Sequence, residues 1–534
     1  MIFQGVPSVT KPSHAMFLGY TSQPGSLLGP SRRLLAPVLL AAVLASCGGG
    51  SGAPPPPSPD FTVSLAQDTV SVGVGDTSVV NVRTTALNGF GSPISVEING
   101  LPLGATTSPT SPFSIPVGSS QDVTLTVPVD VAAGETSVTF AASSGTVSHM
   151  AKLSLTIVPC LTGGNEQTIQ AALGSSAGFA DLCPGATFTI TRTIQMGSTY
   201  SMGNHLFTAG YPSDPAQKAL IKVADHADSW PDDLGLDGLG YPMIAAQGND
   251  LRIQSIRLDG NRTNNTYKQY SALVRIHGLR NLVDGIYGTD PLGAPGLEAA
   301  DPTWCSDLTV THNFIGHIGS HIVATASAVP TWGDGIQIHC DHAYVAYNEI
   351  QDATDVGLMS FGGTNSVFEY NKIENWNSSA FGGLGADPEN GAGPDGHPLS
   401  TPLDFTGTVM RNNTVETCCG QHIHVALTVG VHLWCDSTAN NATCQYGTGL
   451  VYENNQATGL FGYGLYLGGM NNAVVSGNVV TMTDLTWINC YVAGQQSYVL
   501  DHATGSFQPG YATRVPLHWP CLGPTGADEA AFYP

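Results

Sequence analysis

The sequence predicts an all-β protein in two parts, a β-sandwich followed by a right-handed parallel β-helix. Three observations carry this. The composition suits turns and short strands, with 64 Gly and only 11% charged residues among 534. From Phe61 to Val158, apolar and polar residues alternate in short runs separated by Gly, Pro and Asn turns. Further on, an asparagine recurs at 313, 348, 371, 413, 455 and 478, within HNFI, YNEI, YNKI, RNNTV, ENNQA and SGNVV.

The first 46 residues read as an export signal. Arg32 and Arg33 precede the 13-residue apolar run LLAPVLLAAVLAS, shorter than the roughly 20 residues that span a bilayer. The tetrapeptide Leu44-Ala45-Ser46-Cys47 resembles the lipobox of bacterial lipoproteins. That resemblance implies cleavage before Cys47 and lipidation of Cys47, hence a membrane held through a lipid anchor. A start at Met16 would bring the basic pair to its usual distance, and Gly48 after the cysteine points to the outer membrane or cell surface. Residues 47–60, GGGSGAPPPPSP among them, form a tether, flexible and then stiff.

Eleven cysteines less Cys47 leave ten, an even number that fits disulfides in an exported chain. Cys160–Cys183, Cys435–Cys444 and Cys490–Cys521 are local candidates. The net charge of −23 argues against nucleic acid as a partner. A monomer is expected.

Residues 61–158 contain FTVSL, VVNVRTT, ISVEI, VTLTVPV, VTFAA and KLSLTIV, enough short strands for a sandwich. The segment LNGFGSPISVEINGLPLGATTSP resembles bacterial Ig-like modules, although no cysteine lies between 48 and 159. The expected role is a spacer, with a weak carbohydrate-binding module as the alternative.

Residues 159–534 form the predicted β-helix with a C-terminal cap or extension. The asparagine spacings of 35, 23, 42, 42 and 23 fit one 23-residue unit with insertions. Each unit would leave apolar edges bare, so units must stack, and Asn313, Asn348, Asn371, Asn413 and Asn478 would form a ladder along the stack. NEQTIQAAL, LCPGATFTITRTI and LRIQSIRLDGN, with this repeat, resemble the pectate-lyase-like superfamily of parallel β-helix proteins. The resemblance covers roughly 160 to 500. It implies a fold and leaves the chemistry open.

Period-2 alternation in WGDGIQIHCDH (332–342) sends Ile336, Ile338 and Cys340 inward and Gln337, His339 and Asp341 outward. Stacking by unit places Met359, Phe361, His424 and Tyr466 on the same outward face, which the long insertions would wall into a groove. Rings and acids in a groove suit a polysaccharide. The expected catalytic set is Asp334, Asp341, Asp355 and His339, because glycosidases need two carboxylates about 5 to 9.5 Å apart, one of them protonated. Gln337, Phe361, His424 and Tyr466 are the expected substrate contacts.

Asp387, Glu389 and Asp395 lie on the adjacent insertion. The Asp-Gly at 334–335 also reads as a turn. His317, His321, His339, His342, His422 and His424 cluster in sequence, but a metal needs three or four converging ligands, and none is expected. Calcium is the one cofactor the superfamily resemblance leaves open. The basic residues noted in the central units, Lys372 and Arg411, fall short of lyase chemistry. The main expectation is therefore a surface-anchored enzyme cleaving a glycan, as a hydrolase rather than a lyase. The alternative is a non-catalytic β-helix adhesin or glycan-binding surface protein.

Overall fold

The computed structural model describes residues 56–197, 204–227, 229–231, 241–266, 268, 271–293, 295–299, 305–319, 333–387, 404–430, 447–483, 498–501, 504–507 and 512–513. The signal, Cys47, Cys435–Cys444, Cys490–Cys521, His321, Glu389 and Asp395 lie outside these residues.

Alternation between Phe61 and Val158 produces two facing sheets. One runs Asp60–Leu65, Thr77–Leu87, Ser120–Thr126, Thr106–Ser108; the other runs Thr69–Gly73, Val147–Val158, Gly134–Ser144, Ile94–Asn99, Phe113–Ile115. The pairings are antiparallel except that Thr69–Gly73 lies parallel to Val147–Val158. Val80, Val82, Val96, Val123, Phe140 and Leu155 fill the space between them.

The sandwich docks directly on the following domain. Ala209 belongs to its apolar core, and Tyr211 Oη donates to Asp76 Oδ1 at 2.7 Å. At Gly75 (φ 78°) a Cβ would collide with the Gly210 backbone nitrogen, so the approach requires glycine.

Asn165 caps the helix Glu166–Leu173, whose Ile169 and Leu173 close the first end of the next core. Beyond it the chain coils into a parallel β-helix with three ladders. The first sheet runs from Ile194–Met196 through Ile336–Ile338, Val356–Ser360, Ala380–Ala386 and Ile423–Val429 to Phe461–Gly468 and beyond. The second contains Tyr344–Ala346, Val367–Glu369, Val409–Arg411 and Val451–Glu453. The third contains Glu349–Gln351, Lys372–Asn375, Thr414–Thr417 and Gln456–Gly459. Inward residues recur at matching register positions from strand to strand: Ile336, Leu358, Leu384, Leu427 and Leu465; Val345, Phe368, Met410 and Tyr452; Ile350, Ile373 and Val415. Parallel stacking sets these about 4.8 Å apart, so each unit's apolar edge is covered by the next.

The predicted asparagine ladder forms at the corner between the second and third sheets. Asn313, Asn348, Asn371, Asn413, Asn455 and Asn478 are all buried. Each Nδ2 along the row donates to the Oδ1 of the next asparagine at 2.8–3.0 Å, and each backbone N–H donates to that same oxygen at 2.9–3.1 Å. The second Nδ2 hydrogen reaches back to a strand carbonyl, Phe368 O for Asn413 and Val345 O for Asn371. The amide group of each internal asparagine is thereby saturated in the core. The residue before each asparagine makes the bend: His312, Tyr347, Tyr370, Asn412 and Asn454 have φ of 54–58°. Such left-handed residues cost about 1 kcal/mol, which the ladder and core offset.

Cys160–Cys183 forms as expected, tying the end of the sandwich to the first β-helix unit. Two further pairs, Cys305–Cys340 and the adjacent Cys418–Cys419, have no counterpart among the expected ones.

Replacing Asn413 by Ala should lower unfolding free energy by about 3 kcal/mol or more, because several buried backbone and amide partners lose their hydrogen bonds together. Equilibrium denaturation monitored by far-ultraviolet circular dichroism measures it. A loss below about 1 kcal/mol would show that the ladder is not a principal constraint.

Candidate functional site

The first sheet turns one row of side chains away from the core: Arg275, Glu298, Gln337, Met359, Gly385, Thr428 and Tyr466 stand in register. Its early part is ionic. Arg275 Nε donates to Glu298 Oε2 at 2.8 Å, and both side chains are largely buried. Neither stands out in the sequence, since GLEAA carries no ladder asparagine; its small-apolar spacing beside VRIHG is the available signal.

Asp334 begins the next unit and is buried. Its Oδ1 accepts from the Val356 N–H at 2.7 Å, and the Gln337 amide donates to Oδ2. Burial, and then the neighbouring charge of Asp355, push its pKa up to about 8, so it is protonated at neutral pH. Asp355 sits one unit on, its backbone tied to Gly333 O and to the Gly382 N–H. The structure thus brings Asp334, Asp355 and the half-buried Gln337 together as the sequence suggests. His339 is buried on the same strand end, its N–H donating to Ala299 O at 2.6 Å.

Asp341 does not join them. It lies at the corner between the first and second sheets, where its Oδ1 accepts from the Thr364 N–H (2.7 Å) and Oγ (3.0 Å). A backbone bridge to Ser306 fixes the same corner. The alternation that placed it outward ends at Cys340, which is buried and bonded to Cys305, so Asp341 is a corner residue and not a partner of Asp334.

The expected open groove is also corrected. Val356, Met359, Phe381, Val425, Tyr463 and Tyr466 form a second buried apolar cluster, with Phe361 packed half-buried against it. His424 is buried among them, its ring 5.4 Å from Phe381 and 5.5 Å edge-on from Tyr463. Burial, and then His422, lower its pKa to about 4 and keep it neutral. His424 and Tyr466 therefore pack this face and do not present themselves to solvent. An apolar row this long is not left in water. Among the described residues no three His, Cys, Asp or Glu side chains converge as a metal site. His317 pairs with Asp290 (3.5 Å) and His342 lies near Ser306 (3.4 Å) instead.

The exposed aromatic surface lies elsewhere, on the outside of the asparagine corner. His312, Tyr347 and Tyr370 occupy its left-handed positions one unit apart, and their rings pile nearly parallel, with centroids 5.4 and 5.3 Å apart. Tyr347 and Tyr370 are 48% and 49% exposed, and Tyr344 and Trp376 flank them, also exposed. A polar fringe runs alongside. Tyr344 Oη donates to Glu369 Oε1 (3.1 Å), Arg411 Nε to Glu369 Oε2 (2.8 Å), and Lys372 lies 5.8 Å over the Trp376 ring. Reading the repeat by the asparagines of HNFI, YNEI and YNKI passes over the aromatic residue before each; that residue is the signal.

No family model matches the sequence, and no curated protein matches it. Among solved structures, the chain is similar to the Streptococcus pneumoniae surface protein and adhesin PfbA, at 10% identity and a TM-score of 0.30, over 64% of this chain and 95% of that one. The parallel ladders, and not this likeness, establish the β-helix.

The raised pKa of Asp334 has a definite sign. The folded state retains a proton that the unfolded chain releases near 3.8, so this group's contribution falls as pH rises from about 4 to about 8. An asparagine at this position would imitate the protonated acid. Asp334→Asn should therefore gain melting temperature relative to the natural protein progressively between pH 4 and pH 8. Paired thermal melts across that range check it; a difference independent of pH would show that Asp334 is ionised in the folded state.

Proposed function

We propose that this chain is an exported, surface-displayed β-helix protein that binds a polysaccharide without cleaving it, with the aromatic corner as its contact surface. The observation that supports this is the exposed pile of His312, Tyr347 and Tyr370 with its fringe of Glu369, Arg411 and Lys372. Tyrosine offers rigid, amphipathic contact area at low entropic cost. Charged groups on both sides give sugar hydroxyls donors and acceptors. The pile runs along the stacking axis, so a linear glycan laid beside it would meet similar chemistry at successive units. A net charge of −23 disfavours a polyanion and points to a neutral or weakly charged glycan. Anchorage at Cys47 through the 47–60 tether would hold this surface away from the membrane.

One observation favours a second, catalytic reading: Asp334, protonated at neutral pH, stands beside Asp355. Glycoside cleavage needs two carboxyls in one site with one of them protonated, and burial favours the protonated form of Asp334. Against it, the Asp334 carboxyl is buried and both its oxygens already accept hydrogen bonds from Val356 and Gln337.

Binding to a panel of neutral and acidic polysaccharides, by affinity electrophoresis and calorimetry, tests the first reading. A neutral glycan should bind, and the double variant Tyr347→Ala, Tyr370→Ala should weaken it roughly tenfold or more with the fold intact. Affinity unchanged by the double variant, or capture of protein ligands alone, would overturn it. Assays for new reducing ends and unsaturated ends on the same panel decide the second reading. Product formation abolished by Asp334→Asn would establish catalysis; no product from any glycan would exclude it.

A further inference from the structure

The strand Thr414–Thr417 of the third sheet leads into Ile423–Val429 of the first through a corner built from Cys418, Cys419 and Gly420. The two cysteines are adjacent in sequence and bonded to each other. Both are exposed, in contrast to Cys305–Cys340, where both residues are buried. The Gln421 N–H donates to Cys418 O at 3.0 Å, and Cys419 and Gly420, at φ of 62° and 87°, occupy the centre of that turn. The disulfide thus joins the first two residues of one tight turn and holds a non-glycine residue in the left-handed region.

This corner touches the strand that carries His422 and His424. Ser379, one unit earlier, donates through Oγ to Gln421 Oε1 (3.0 Å), lies 3.0 Å from His422 Nδ1, and accepts from the His422 N–H (3.2 Å). The His422 carbonyl in turn accepts from the Ala380 N–H at 2.9 Å. A change in the turn therefore reaches two neighbouring strands of the first sheet through named hydrogen bonds.

We infer that the Cys418–Cys419 pair is a reversible redox site, opened by thiol reductants while the buried disulfide stays closed. A thiolate attacks one of the two sulfurs, the S–S bond breaks, and the other sulfur leaves as thiolate. A second thiol then attacks the mixed disulfide, releasing the oxidised reductant as its own disulfide and leaving two cysteine thiols. Two electrons pass from the two thiols to the pair, and reoxidation reverses the step. Access decides which disulfide reacts, because exchange requires approach to a sulfur. Once open, Cys419 is released from its left-handed position, and the contacts of Gln421 and His422 with Ser379 loosen. This inference concerns the corner itself and stands whether or not the protein binds a glycan.

The full chain, treated with graded dithiothreitol under native conditions, alkylated and mapped by peptide mass spectrometry, tests it. Cys418 and Cys419 should acquire label roughly tenfold faster than Cys305 and Cys340, and only after reductant is added. Replacing the reductant with oxidised glutathione, which accepts the two electrons by thiol–disulfide exchange, should restore the oxidised mass. Hydrogen exchange over 416–424 should rise on reduction to the level of the unreduced C418S/C419S variant. Labelling without reductant, labelling no faster than at Cys305, or unchanged exchange on reduction would each overturn the proposal. The variant separates these outcomes from a general loss of folding, since its exchange outside 416–424 should match the natural protein.

Discussion

The buried column of asparagine amides is the constraint on which the β-helix depends. A coil of short strands must turn three times per unit, and each turn leaves backbone groups without a strand partner. At the corner between the second and third sheets, each amide takes up the backbone N–H of the unit before and passes its own hydrogens to the next amide and to a strand carbonyl. Because every link is shared between units, register in one unit fixes register in the next. The inward columns of Ile, Leu, Val and Phe then stack on one another along the helix. The same saturation permits polar side chains to lie in a core that would otherwise exclude them.

This one-dimensional order also determines where chemistry is placed. A residue type that recurs at one position of the unit becomes a row in space. The residue preceding each asparagine must bend left-handed and point outward, and where it is His or Tyr the result is the exposed ring pile at 312, 347 and 370. On the first sheet the same logic produces the row from Arg275 to Tyr466. That row changes from ionic to apolar along its length, and its apolar part is buried. Asp334 stands at the change of character, which is why burial and the charge of Asp355 both act on it.

Much of the architecture was legible in the sequence because it is periodic. The sandwich, the cap at NEQTIQAAL, the 23-residue unit, the asparagine ladder and the inward Ile336 and Ile338 all follow from alternation and spacing. The proximity of Asp334, Asp355 and Gln337 followed from stacking the same units. Alternation does not place Asp341, because it lies three residues past the strand Ile336–Ile338, in a corner held by Thr364 and the bridge to Ser306. Arg275 and Glu298 are not marked by the repeat, because no spacing of the recurring asparagine points to VRIHG or GLEAA.

By itself, the sequence determined which residues face inward and how often the chain turns, since both are local consequences of pleat and turn chemistry. Only the tertiary structure decided which outward rows meet water. The His424 and Tyr466 face is buried, while the Tyr347 and Tyr370 corner is open. Exposure depends on what the rest of the chain lays over a surface, and that is a property of the whole packing and not of any strand's pattern. The partner of an exposed cysteine is decided the same way: Cys418 closes on Cys419 because the corner leaves both outside and holds Cys305 and Cys340 together in the core.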